Sequence, residues 1–431
     1  MVLTGPKSSG AITAGCLHRV AKRHNASKEI TSQKRQHTTV PLLYFISWLT
    51  DFAAILFIFV STRLLADEQT SAQAMGYLGA AYFLVAAIAN TISGPLSDYL
   101  GKRKVSFIGT VVMVAAIAGI IQCEPGTSGF YVSYTAVGLA LGVIYPPIMA
   151  ALGTARSGQG TMRTYLFFCL AFNFGIACAQ VAGGYIYKHV GPYAPFYVAI
   201  GAALLAGICL LFANDPSAHQ IQASEHEELD SGFDKHLSQV FSRINWCANF
   251  SGMFSMSLIW FLLPKLIVQQ SIEADTHGTI MACGRVCTIA TFVLMYLLPK
   301  WPYKVRFVVV CHSLGAIGLV GIYSSSTAMG FGASVCVFST LMGFNYYGSL
   351  YYSSTGSSSE SKGKAFGLNE AFLMFGAVGG SILGAALSTS DSFRLPFAVA
   401  AGVVVASLIL QCLIWHKKIG VQASRTVSEL A

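Results

Sequence analysis

Few side chains in this sequence carry charge inside its long apolar runs, and each has a definite chemistry. Asp51 stands ten residues past Pro41, about 15 Å along a helix and so near the middle of a hydrocarbon layer roughly 30 Å thick. A carboxylate partly removed from water can load and release a proton near neutral pH, which makes Asp51 the candidate coupling acid. The competing reading is a structural Asp hydrogen-bonded to neighbouring helices. Arg285 lies eight residues past His277, about 12 Å along a helix. It keeps its proton, and its planar fork suits a carboxylate or a phosphate. An internal salt bridge, with Asp51 as one partner, or a hydrogen-bonded kink at Gly284 are the alternatives. Glu370, about one turn into its run, is read as an acid favoured by a helix N-terminus, with a gate as the alternative. Lys265, just after Pro264, is expected to snorkel to an interface. Cys283 and Cys287 flank Arg285 at an i, i+4 spacing but lack a convergent His or carboxylate set, so no metal is expected there.

The runs that hold these groups define the fold class. Hydrophobic residues make up 54% of the 431 and charged ones 10%, against roughly 25% charged in soluble domains. Twelve spans are placed at 41–65, 73–96, 104–122, 130–152, 164–187, 193–214, 243–268, 277–298, 305–324, 328–352, 365–388 and 394–415. They are too long and too continuously apolar for barrel strands, so an all-α membrane protein of twelve transmembrane helices is expected. An ionisable group deep in such a span costs roughly 2.5 to 3.5 kcal/mol on insertion scales and needs a protein or aqueous environment.

The net charge of +9 is a topological signal. Of the 27 Lys and Arg, all but Arg63, Lys188, Lys265, Arg394 and Arg285 fall on the side that holds both chain ends. The positive-inside rule makes that side cytoplasmic. The basic first 40 residues lack the apolar core of a secretory signal and read as a tail lying against anionic lipid. The 11 cysteines are scattered, mostly within spans, as small apolar residues.

A polar stretch with Glu225, Glu227, Glu228, Asp230 and Asp234 divides the spans evenly. The expected organisation is a tail at 1–40, a six-helix bundle at 41–214, a cytoplasmic linker at 215–242, a second bundle at 243–415 and a tail at 416–431. The halves match at an offset of 201 or 202 residues: Gly76 with Gly278, Phe174-Gly175 with Phe375-Gly376, and Gly142 and Tyr145 with Gly343 and Tyr346. A duplicated body of this kind places a ligand site at the midplane between halves that rock against each other, so transport is expected. Interrupted segments at matched positions point to that site. Tyr145, Pro146 and Pro147 in span 4 and Asn345, Tyr346 and Tyr347 in span 10 fill the role. Asn173 and Gln180 in span 5 and Asn249 and Trp260 in span 7 add aromatic faces and neutral hydrogen bonds.

Between spans 2 and 3 the chain reads GPLSDYLGKRK. Gly94, Leu96, Asp98, Gly101, Lys102 and Arg103 resemble, residue by residue, the G-x-L-a-D-r-x-G-r-K/R-x-x signature of the major facilitator superfamily. The resemblance covers about residues 41–415 and implies secondary transport by alternating access. It makes Gly94, Asp98, Gly101, Arg103 and Glu370 gating candidates. Gly94 would permit close helix approach, and Asp98 would latch onto the N-terminus of span 11 near Lys364-Ala365-Phe366, a contact worth ~1 kcal/mol. Proton-coupled relatives often have an acid in span 1, as Asp51 is, and monocarboxylate transporters resemble this chain in an arginine in span 8. The chain departs from the family at Tyr134, where span 4 often has an arginine, and at Ala179-Gln180, where the antiporter motif has Gly-Pro. The second-half counterpart of the signature, PKWPYKVR at 299–306, lacks the acid.

The expectation is a carrier that moves a small polar organic solute, led by carboxylate-bearing anions, with proton symport. Rivals are a sugar or nucleoside carrier, an exporter or antiporter, and a non-transporting sensor. Neither catalysis, a cofactor nor nucleic-acid binding is expected, because no nucleotide loop, metal cluster or nucleophile-base pair appears. The partners expected are the solute, protons and the bilayer of the cell membrane, with both termini cytoplasmic and the protein a monomer.

Overall fold

Apolar runs this long fold as α-helices because a backbone amide in hydrocarbon can only be satisfied within its own segment. The computed structural model describes residues 40–155, 159–213, 232–298, 300–355, 362–388 and 393–420. In these lie α1 (Val40–Asp67), α2 (Ala72–Leu100), α3 (Lys102–Ile121), α4 (Ser128–Ala155), α5 (Gln159–His189) and α6 (Ala194–Phe212). The second half follows as α7 (Gly232–Phe261), α8 (Leu263–Gln269), α9 (Ala274–Leu297), α10 (Val305–Ser324), α11 (Ala328–Thr355), α12 (Lys362–Leu387) and α13 (Leu395–Trp415). Among the described residues there is no strand, and twelve helical segments are long and apolar enough to cross a membrane, with α7 and α8 forming one of them. The two most enclosed are the α1 segment, whose most apolar window is 78% buried, and the α7–α8 segment at 89%, against 56% or less for the rest. These two are therefore the central helices of their halves.

Local chemistry sets several boundaries. The Ser71 hydroxyl caps α2 by accepting from the Ala74 N–H at 3.2 Å. Gly101 closes α2 and opens α3 at φ +96°, a backbone conformation that side chains resist, and its N–H returns to the Ser97 carbonyl at 3.0 Å. Pro195, Pro264 and Pro396 each stand in the first turn of a helix, where a missing N–H costs nothing.

The two halves repeat each other in contacts as well as in sequence. Gly175 of α5 lies against the backbone of Trp48 in α1, and Gly376 of α12 lies against that of Phe250 in α7. Gly76 of α2 meets the Ser381 carbonyl in α12, and Gly278 of α9 meets the Gln180 carbonyl in α5. Each pair is related by an offset of 201 or 202 residues. The second pair crosses between the halves, so the same contact is made twice about a pseudo-twofold axis.

Three expectations change. α4 and α11 are continuous helices, with Pro146 and Pro147 inside α4, so neither segment is interrupted. Residues 232–242, read as the end of the linker, are the first turns of α7. Residues 416–420 continue α13 as a π-helical turn. The rest of the linker up to residue 231 and the chain ends at 1–39 and 421–431 lie outside the described residues.

Candidate functional site

α1 carries Asp51 inward, 7% exposed, where its carboxylate accepts a hydrogen bond from the Tyr145 hydroxyl of α4. Facing it from the second half, α9 buries Arg285 to the same degree, with its guanidinium 5.6 Å above the Trp260 ring of α7. Arg285 Nη2 is buried without a hydrogen-bond partner, and no ion pair within 4 Å joins it to Asp51. Each nonetheless lies within range of the other's charge. A buried guanidinium nitrogen without a partner is costly, and an anion between the two halves would relieve that cost.

Aromatic rings frame the pair. Trp260 stacks on Phe83 of α2 at 5.9 Å and 16°, and Tyr82 and Tyr134 pack edge-on beside it. Phe172 of α5 meets Tyr346 of α11 edge-on at 5.6 Å, a second ring contact between the halves. Tyr145, Tyr346, Trp260, Asp51 and Arg285 thus come together at the seam.

The other expected ligand residues divide. Gln180 is buried between the halves with Oε1 unpartnered, beside His277. Asn173 donates to the Cys169 carbonyl of its own helix at 2.9 Å and leaves Oδ1 unpartnered. Asn249 and Asn345 are tied up within the second half. Asn249 donates to Asn369 Oδ1 of α12 at 2.7 Å, and Asn345 donates to the Ala248 carbonyl at 2.9 Å, clasping α11 to α7, while its Oδ1 is left without a partner.

The gating candidates also separate. Gly94 needs no close approach, since a Cβ there would meet nothing within 4 Å. The close inter-helix glycines lie further up α2, at Gly76 and Gly79. Asp98 is exposed at the end of α2. The side chains of Lys364, Ala365 and Phe366, against which its latch was expected, lie outside the described residues. Gly101 makes the turn, and Arg103 donates to the Leu211 carbonyl of α6 at 3.3 Å, in its own half. Glu370 is eight residues into α12, about two turns rather than one, because that helix begins at Lys362. It is half-buried, within electrostatic range of Tyr346 and Cys169, so the first-turn reading does not describe it.

The halves are sealed at the end remote from Gly101. Arg63 of α1 donates to the Ile272 carbonyl at 2.9 Å and pairs with Asp67 at 3.0 Å. Lys188 of α5 pairs with Glu273 and, at 2.8 Å, with Asp275 of α9. Lys265 does not snorkel: it is 8% exposed and donates to the Thr70 carbonyl of the opposite half at 2.5 Å. Its partner is a loop nearly two hundred residues away in sequence, which no local pattern signals. Sequence reasoning gives no role to His277, Tyr82 and Phe83, although His277 shares the buried face of α9 with Arg285 and Thr288, a repeat of polar residues that could have marked it.

Two pseudo-symmetric six-helix halves with a charged pair at their seam are the architecture in which a ligand site lies between halves that rock against each other. The sequence model of the Major Facilitator Superfamily matches residues 42–361, and the chain belongs to that family. Quinolone resistance protein NorA from several Staphylococcus aureus strains is 24% identical over 206 residues, 48% of this chain. The match spans about half the length of those relatives, 50%. A crystal structure of a variant of nucleoside transporter NupG aligns with a TM-score of 0.65 at 12% identity, covering 88% of this chain and 100% of that one. The crystal structure of the human organic anion transporter MFSD10 (TETRAN) aligns with a TM-score of 0.62 at 15% identity, covering 87% and 99%. Both share the fold. The protein is a multi-pass membrane protein of this superfamily.

Proposed function

We propose that the protein carries a small organic anion across the cell membrane by alternating access, in symport with protons. One observation carries the reading: Arg285 is buried against Trp260 with a guanidinium nitrogen unpartnered and, among the described residues, no carboxylate within 4 Å. A carboxylate ligand supplies charge-assisted hydrogen bonds that the protein itself leaves unmade. Asp51, accepting from Tyr145 across the seam from Arg285, is the proton-coupling group. With Arg285 positively charged, loading a proton on Asp51 removes the negative charge that competes with an entering anion, which links the two ligands. Tyr346 and Trp260 supply the aromatic walls, and Gln180 and Asn173 the neutral hydrogen-bonding groups.

The sealed end bears Arg63, Lys188 and Lys265, so the positive-inside bias makes it the outer one, with both termini cytoplasmic. In this reading the protein is a monomer. Asp98, Gly101, Arg103 and Glu370 belong to the inner gate that closes when the outer seal opens. The fold is shared by a nucleoside transporter and by an organic anion transporter, so the choice of an anion rests on Arg285. The similarity to quinolone resistance proteins supports a second reading, export by proton antiport through the same Asp51.

A thermal-shift screen of the purified protein across organic anions, sugars, nucleosides and amino acids tests the cargo class, because a ligand that binds only the native state stabilises it. Stabilisation by monocarboxylates that Arg285→Gln abolishes is the expected result. Stabilisation confined to neutral solutes would refute it.

A further inference from the structure

Above the Arg285–Trp260 pair, towards the sealed end, a small pocket lies between the halves and is lined by Phe59 and Thr62 of α1, Gln180 of α5, Trp260, Pro264 of α8 and His277 of α9, among others. The Thr62 hydroxyl is spent on the Ile58 carbonyl of its own helix at 2.9 Å, but three other side chains leave polar atoms unused. His277 is 1% exposed, and neither Nδ1 nor Nε2 has a hydrogen-bond partner, the ring packing on Phe59 at 4.7 Å. Gln180 is 1% exposed with Oε1 unpartnered, and Trp260 Nε1 is likewise unpartnered. The other buried histidine shows what a structural role looks like. His312 meets the Val308 carbonyl at 2.8 Å through Nδ1 and Gln411 at 2.9 Å through Nε2.

We infer that this pocket, which has room for one water-sized group, is a subsite for a neutral hydroxyl on the same solute whose carboxylate Arg285 holds, so that the cargo is a hydroxycarboxylate. The inference rests on the anion reading above. The unpartnered groups fix the chemistry. A neutral imidazole offers one donor and one acceptor, Gln180 Oε1 an acceptor and Trp260 Nε1 a donor. A hydroxyl satisfies both kinds at once and matches the size of the space. A carboxylate cannot donate, and a cation has Arg285 on one side and Arg63, whose charge reaches His277, on the other. Trp260 belongs to both places, carrying Arg285 on its face and lining the pocket, so the two places adjoin along one ring. His277 and Arg285 are eight residues apart on α9, about 12 Å or less, because helical side chains lean towards the N-terminus and bring the Arg285 head closer to the pocket. The subsite is assembled from both halves and exists in this form only while the outer end is closed, so a solute that fills it favours that closure.

The test compares phenylacetate with 4-hydroxyphenylacetate, read as ligand-induced thermal shift over a concentration series on the full-length protein. The wild type is expected to bind the hydroxylated acid at least about tenfold more tightly, as a site built to hydrogen-bond a hydroxyl rejects the analogue without it. That ratio falls to about one in Gln180→Leu and in His277→Leu, and His277→Asn, which keeps a donor and an acceptor, restores it. A wild-type ratio near one, with binding of both acids lost in Arg285→Gln, overturns the subsite and leaves the anion site standing. Binding of both acids that survives Arg285→Gln, or binding of neither, overturns the anion reading and this inference with it.

Discussion

The Tyr145 hydroxyl donates to the Asp51 carboxylate, joining α4 to α1 at the centre of the first half, directly across the seam from Arg285. That arrangement leaves one hydrogen-bonded acid and one base with an unpartnered guanidinium nitrogen within range of each other's charge.

Replacing Arg285 separates charge from geometry. Arg285→Lys keeps the positive charge but loses the fork and its stacking on Trp260. Hydrogen bonds to charged groups are worth about 1.5 to 3 kcal/mol, so carboxylate binding is expected to weaken by roughly 10- to 150-fold. A neutral solute of similar size is expected to change little. Titration calorimetry with both ligands measures the difference.

The glycine contacts at the outer seal predict a conformational lock. A Cβ at residue 278 would overlap the Gln180 carbonyl, and one at residue 76 would overlap the Ser381 carbonyl, both across the seam. Gly278→Ala and Gly76→Ala are expected to hold the outer end apart, lengthening spin-label distances between the tips of α5 and α9. Exchange transport is expected to fall while ligand binding persists. Unchanged distances would remove these glycines from the seal.

The seal also depends on cations that act on backbone carbonyls. Lys265→Met removes the donor to Thr70 while keeping most of the side-chain volume. The same distance measurement is expected to show a larger outward-open fraction, and a change of about 1.4 kcal/mol in this balance is a tenfold change in that ratio.

Asn249 serves stability instead. Asn249→Ala leaves Asn369 Oδ1 buried without its donor, at a cost of about 1 to 3 kcal/mol. A lower melting temperature with the ligand dissociation constant little changed is the expected outcome. A selective loss of ligand affinity would return Asn249 to the binding site.

Much of this could be read from the sequence because it depends on properties local to the chain. Helix length and apolarity follow from the bilayer, and the GPLSDYLGKRK turn follows from Gly101, whose φ of +96° few other residues accept. The duplication was visible as matched glycines because each matched glycine makes the same close contact in its own half or across the seam. What failed depends on which helix lies opposite. Lys265 has the usual look of an interfacial lysine, and only the Thr70 carbonyl of the other half explains its burial. Asn249 and Asn345 have the composition of ligand-binding groups but face helices of their own half. Gly94 matches the family signature while standing in open space. His277 served in the sequence only to measure depth, since one polar residue in the first turn of a helix carries no sign of what it will face.

The central claim is that Asp51 couples protons to an anion held by Arg285, and accumulation of a labelled carboxylate in proteoliposomes under an imposed pH gradient tests it most directly. Wild-type protein is predicted to accumulate the anion above equilibrium, Asp51→Asn to exchange it without accumulating it, and Arg285→Gln to do neither. Gradient-driven accumulation by Asp51→Asn equal to that of the wild type would contradict the account.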